Sequence, residues 1–144
     1  MFSDIFPNLN ASKFTLVFKS KALDVLKKFK TKDYRLFGDF ISSPFFNKDE
    51  ELILFYEKLT NFGPTFTNKK LERTSFYKLC FPKNKYNEKH LGYLLTDLVK
   101  LLDDYISHSL YKENKINSHL NLMGNYVSWG LEKNYNSVYK MAEK

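Results

Sequence analysis

Between Leu91 and Tyr105 the residues Leu91, Leu94, Leu95, Leu98, Leu101, Leu102 and Tyr105 follow one another in steps of three and four. That spacing lays all seven on one stripe of an α-helix, whereas a strand would send successive side chains to opposite faces. Asn87 is placed to cap the start, and a helix from there to Ser107 would span about 30 Å at 1.5 Å per residue. An apolar stripe of that length needs other elements to cover it, so this helix is expected to be the central strut of a bundle.

Helical spacing recurs through most of the chain, without the polar and apolar alternation of half-buried strands. The expected fold class is all-α, a bundle of about six to seven helices. The run Phe14 to Phe18 fits a strand or a buried helix end, and a helix is favoured. A first helix is expected to end near Phe29, with Leu23, Leu26 and Phe29 inward. Thr31 would cap a second, carrying Leu36, Phe37, Phe40 and Ile41 inward, with Gly38 allowing a neighbour to approach closely. Pro44 disfavours helical geometry at Ser43, which ends that helix and leaves Ser42 to Phe46 as a turn bearing two aromatics. Asn47, with Glu50 three residues on, resembles a capping box for a third helix that runs to about Phe62, buries Leu52, Tyr56 and Leu59, and stops at Gly63-Pro64. A short fourth helix, about Glu72 to Phe81, would turn Phe76, Leu79 and Cys80 inward before Pro82.

Two further helices are expected after Lys112, broken near Gly130. The domain reading is therefore a helical bundle over residues 1–110 and a helical hairpin over 111–144. In the hairpin, Leu122, Tyr126, Gly130, Tyr139 and Ala142 fall at spacings that resemble one tetratricopeptide repeat, although Tyr135 stands where that repeat wants a small residue. A stable array needs about three repeats, so the hairpin is compatible with the front of a longer helical protein.

At 144 residues the chain is long enough for one domain to build a core without cross-links. Its single cysteine, Cys80, cannot form an internal disulfide, which suits a reducing compartment. The first residues, MFSDIFPNLNAS, lack the cationic start and apolar stretch of a signal peptide, and no run is long and apolar enough for a membrane span. A cytoplasmic location is the expectation.

The net charge is +7, and the surplus is concentrated. Residues 61–90 carry seven basic side chains against two acidic, mostly between Lys69 and Lys89. Lys69, Lys70, Arg73, Lys83, Lys85, Lys89 and His90 are thus the candidate nucleic-acid contacts, matched to phosphate or to an acidic protein. Only Arg35 and Arg73 are arginine, and base readout leans on arginine more than lysine, so a solvated lysine face competes with this reading.

The search for catalytic chemistry comes back empty. His90, His108 and His119 lack the paired spacing of a helical metal site. Asp104 and His108 share a face four residues apart, as a solvated pair would. The acidic run Asp49 to Glu51 is explained by helix capping, Asp103-Asp104 by an exposed face, and the five glycines never approach a phosphate-cradling spacing. Cys80, between Leu79 and Phe81, reads as core. No cofactor, metal or catalytic residue is expected. Phe45, Phe46 and Trp129, aromatics at a turn and near a helix end, are the candidate partner contacts.

Two resemblances bear on these residues. Phe37, the run Ser43-Pro44-Phe45-Phe46-Asn47-Lys48, Phe81-Pro82, Tyr86-Asn87 and Leu94 to Leu102 together resemble the N-terminal part of a group of uncharacterised bacterial helical proteins that continue into repeats. That likeness covers Leu36 to Ile106 and implies architecture rather than activity. Leu71 to Leu102 is similar, more loosely, to the helix-turn-helix core of winged-helix transcriptional activators. It would imply that Lys83, Lys85, Lys89 and His90 meet phosphates and groove, yet residues 103–130 look helical where a wing needs a hairpin of strands. The leading expectation is a non-enzymatic module that binds another protein, and the alternative is a DNA-binding helix-turn-helix regulator.

Overall fold

A computed structural model describes residues 19–144; the run Phe14 to Phe18 lies outside them. Among the described residues every regular element is a helix: α1 Lys21–Leu26, α2 Thr31–Ser42, α3 Glu50–Thr60, α4 Arg73–Cys80, α5 Glu88–Glu113, α6 Lys115–Ser128 and α7 Glu132–Ala142. They fall into two compact units, one reaching to Leu102 and the other running from Asp103 to Lys144.

In the first unit the helix ends follow from local polar chemistry. The Ser20 hydroxyl accepts the Ala22 N–H at 3.1 Å to open α1. That helix closes at Leu26, earlier than expected, because Lys28 and Phe29 bond back three residues to Val25 and Leu26 in a tighter turn. The cap of α2 also differs from expectation. Lys30 is the N-cap, its N–H held by Asp33 Oδ2 at 3.0 Å, and Thr31 is the first helical residue. The Asp33 carboxylate thus takes the N-cap amide from inside the first turn, while the Asp33 and Tyr34 N–H groups bond to the Lys30 carbonyl. Pro44 stops α2 as expected, with Ser43 extended at φ −77°, ψ 121°.

Asn47 does not cap α3. Asp49 does, its Oδ1 accepting the N–H groups of Glu51 and Leu52 at 3.0 and 3.3 Å. Asn47 instead ties the turn together: Nδ2 donates to the Ile41 carbonyl at 2.9 Å, and Oδ1 accepts the Asp49 N–H at 3.1 Å. Its side chain thus bridges the end of α2 to the start of α3.

The core is built where α2, α3, α4 and the first part of α5 bring aromatic rings together. Phe37 meets Tyr56 edge-on at 4.8 Å, and Phe55 meets Phe76 at 5.2 Å. A Cβ on Gly38 would stand 3.9 Å from the Tyr56 ring, an ordinary contact, so the helices do not approach closely enough here to require the glycine. Tyr56 donates its hydroxyl to the Tyr34 carbonyl at 2.9 Å, which pins α3 to α2. At Gly63 a side chain would press to 3.2 Å from the Phe66 ring and 3.3 Å from the Thr60 carbonyl. Phe66 itself holds φ at 54°, a left-handed conformation costly for a non-glycine, and its ring is fully buried.

In α4 the buried set is Phe76, Tyr77 and Cys80, and Leu79 is 47% exposed. The expectation had placed Leu79 inward; Tyr77 takes that role, because positions 76, 77 and 80 share a face and 79 lies off it. In α5 all seven stripe residues are buried. The helix continues past Ser107 to Glu113, and its 26 residues measure about 39 Å at the standard rise.

The second unit holds the end of α5, α6 and α7. Its boundary falls at Asp103, several residues before the expected 110/111, and Asn121 Nδ2 donates to the Tyr111 hydroxyl at 3.0 Å, joining the end of α5 to α6. Asn114 caps α6 through the Asn117 N–H at 3.2 Å. The break at Gly130 is as expected: Gly130 sits at φ +68°, its N–H bonds to Val127, and the Leu131 N–H bonds to Tyr126, a pairing that closes a helix through a left-handed residue. Within α7 only Val138 is buried, and in α6 no residue is.

Candidate functional site

The aromatic turn places a hydrophobic ring in water on a fixed base. Phe46 and Asn47 both donate their N–H groups to the Ser43 carbonyl, at 3.0 and 2.9 Å. The Phe46 ring stacks on Phe40 with centroids 4.0 Å apart and is 38% exposed. Phe45 stands edge-on to Phe46 at 4.9 Å and is 88% exposed. One ring therefore anchors and the next is presented. Trp129, in the second unit, is the C-cap residue of α6 and is 65% exposed.

The basic stretch lies on the loops around α4. Lys69 and Lys70 are exposed before it, where Asn68 Oδ1 accepts the Lys70 N–H at 2.9 Å and buried Leu71 anchors the loop. Arg73 is half-buried as the first residue of α4. Lys83 and Lys85 are exposed in the turn that leads to α5, and Lys78 Nζ donates to the Asn84 carbonyl in that turn at 2.9 Å. Lys89, in the first turn of α5, holds its ammonium 6.0 Å from the centre of the Tyr93 ring. Lys83, Lys85 and Lys89 thus gather around the start of α5.

His90 is placed differently from these lysines. Its Nε2 lies 2.9 Å from Glu51 Oε2 and its Nδ1 2.9 Å from the Tyr77 hydroxyl. A carboxylate can only accept, so in the neutral ring Nε2 carries the proton and Nδ1 accepts from Tyr77. The ring also packs against Tyr77 and Phe81 at 5.6 and 5.1 Å. Both nitrogens are thus engaged in a clamp that joins α3, α4 and α5. The shape resembles a catalytic relay, but Tyr77 is 2% exposed and its oxygen is out of a substrate's reach. The sequence reads Glu51 only as part of a capping run, and no local pattern links it or Tyr77, 39 and 13 positions away, to His90.

Burial pushes the Cys80 thiol up to about 12, a shift that the nearby Lys58 ammonium only partly opposes. Such a thiol stays protonated and is a poor nucleophile. Among the described residues no group of three or more His, Cys, Asp or Glu side chains converges as metal ligands, and no helix is long and apolar enough to cross a membrane. An open groove of about 500 Å³ runs between α2 and α3, past Arg35, Asp39 and Glu57. Arg35 faces Asp39 at 3.9 Å there, an exposed pair of little energetic weight.

No protein-family model, curated protein or solved structure matches this chain.

Proposed function

We propose that the chain is a non-enzymatic helical module that binds another protein and docks through the turn carrying Phe45 and Phe46. The observation that carries this reading is Phe45, 88% exposed on a turn fixed by backbone and Asn47 hydrogen bonds. A ring held in place loses little conformational freedom when a partner covers it, which is what favours an aromatic as a contact anchor. Trp129 offers a second aromatic contact in the second unit. The resemblance of the Ser43 to Lys48 run to uncharacterised bacterial helical proteins fits this reading and adds no chemistry to it.

The test is photo-crosslinking in cells from an unnatural aromatic placed at position 45, with exposed Tyr93 as the control position. A discrete protein adduct from position 45, absent at 93 and competed away by purified wild-type chain but not by the Phe45→Ser variant, supports docking through this turn. Identical adduct patterns from both positions sink it.

A second reading is DNA binding through the lysines around the start of α5, favoured by the gathering of Lys83, Lys85 and Lys89 there. Phosphate contacts make affinity fall steeply with salt. Duplex binding measured by fluorescence anisotropy should then weaken by about tenfold or more from low to physiological salt and disappear when all three lysines become glutamate. Absence of binding at low salt removes this reading.

A further inference from the structure

On α6 the residues Ile116, Leu120, Met123 and Val127 are separated by four, three and four positions, the spacing of a helix-pairing seam. They lie on one face of the helix, yet Ile116, Leu120 and Val127 are 71, 56 and 65% exposed. A stripe that a helix of this kind ordinarily buries is here left in water.

Charge argues for what covers it. Lys115 is the only formally charged residue of α6, at its first position, and the residues flanking the seam are Asn117, His119, Gly124 and Tyr126. A strongly charged partner finds nothing complementary on such a face. A second copy of the same helix brings an equally neutral seam, with no like-charge repulsion. The second unit as a whole balances five lysines with five carboxylates, so the surplus of +7 is carried by residues before Asp103. Gly124 has open space where a side chain would be, which lets a second helix come close beside Leu120.

We propose that α6 is a self-association element, on which a second copy of this chain lays the same seam in a two-fold arrangement. Antiparallel pairing sets Ile116 opposite Val127 and Leu120 opposite Met123. The exposed apolar side chains of this unit keep on the order of 1,000 Å² in water, against about 800 Å² buried per partner in a standard interface. The seam supplies about a third of that surface, less than half of the standard patch, so the dimer is a weak one. The seam and the aromatic turn are made of different residues, and the Phe45→Ser variant leaves self-association unchanged.

Sedimentation equilibrium on the full chain, from about 1 to about 500 µM, tests this. A monomer-dimer equilibrium whose dissociation constant rises about 100-fold in the Leu120→Glu, Val127→Glu double variant is the expected result. Circular dichroism checks that the variant keeps its helices. Should glutamate unfold α6, Leu120→Ala with Val127→Ala gives the second reading, with an expected rise of about tenfold. A chain that stays monomeric over the whole range overturns the proposal, as does a dimer that folded variants leave unchanged.

Discussion

The two units spend their apolar residues in opposite ways. Before Asp103 the described chain buries rings and leucines on five helices and leaves four large apolar side chains exposed, Phe45, Phe46, Leu79 and Tyr93. From Asp103 onward only Tyr105 and Val138 are buried, while ten large apolar side chains are exposed. The first unit therefore owes its stability to removing apolar area from water, at about 25 cal/mol per Å². The second rests on the packing of α6 against α7 and on the caps at Asn114 and Gly130, with little apolar area enclosed. A helical hairpin is too thin to enclose its own apolar faces, and repeat proteins meet the same limit by stacking such units.

That contrast is open to measurement. Phe37→Ala in the first unit should lower stability by about 3 to 5 kcal/mol, whereas Val138→Ala should lower it by no more than about 2, both read by urea unfolding. Near-equal losses would mean that the second unit holds a core after all. Native-state hydrogen exchange should show the amides of α6 and α7 opening at least about tenfold more readily than those of α3 and of α5 before Leu102, and uniform protection would erase the distinction. Gly130→Ala forces a side chain into a left-handed conformation and should cost about 1 to 2 kcal/mol, with the loss appearing as faster exchange confined to α6 and α7. Tyr77→Phe removes one arm of the His90 clamp and should cost about 1 kcal/mol, felt in the first unit alone.

A pH dependence also belongs to the first unit. Because the Cys80 thiol is raised from 9.0 to about 12 in the folded chain, its neutral form is favoured by folding. The stability it contributes is fully present below pH 9 and is lost as pH rises from about 9 to about 12. Alkylation at pH 8 should correspondingly be slow in the native chain and fast in urea. Equal rates would place Cys80 at the surface and break the contrast on that side.

Legibility in the sequence also divides along this line. The stripe from Leu91 to Tyr105 and the stops at Pro44, Gly63-Pro64 and Gly130 were readable, because each rests on periodicity or on a residue with few backbone options. The caps shifted by a residue or two, since Asp33 reaches back to the Lys30 N–H and Asp49 takes the Glu51 and Leu52 amides, leaving Asn47 with the Asp49 N–H. Leu79 and Tyr77 exchanged roles because helical phase in an eight-residue helix is set by its neighbours. Of the candidate contacts, the exposure of Phe45 and Trp129 was foreseeable from their places in a turn and near a helix end. The clamp of Glu51, Tyr77 and His90 was not, because it assembles only when three helices meet. The open seam of α6 was likewise hidden, since apolar spacing says which residues share a face and nothing about whether that face is covered.

Phe45 has one more consequence, and it concerns valency. A single ring, even fully covered, contributes about 1.5 to 3 kcal/mol, too little alone to hold a partner for long. A partner docked on one copy of the turn as proposed would thus bind and release quickly. Two copies joined through α6 would offer two rings on one particle, and a target with two matching sites would be held by avidity, losing both only when both let go together.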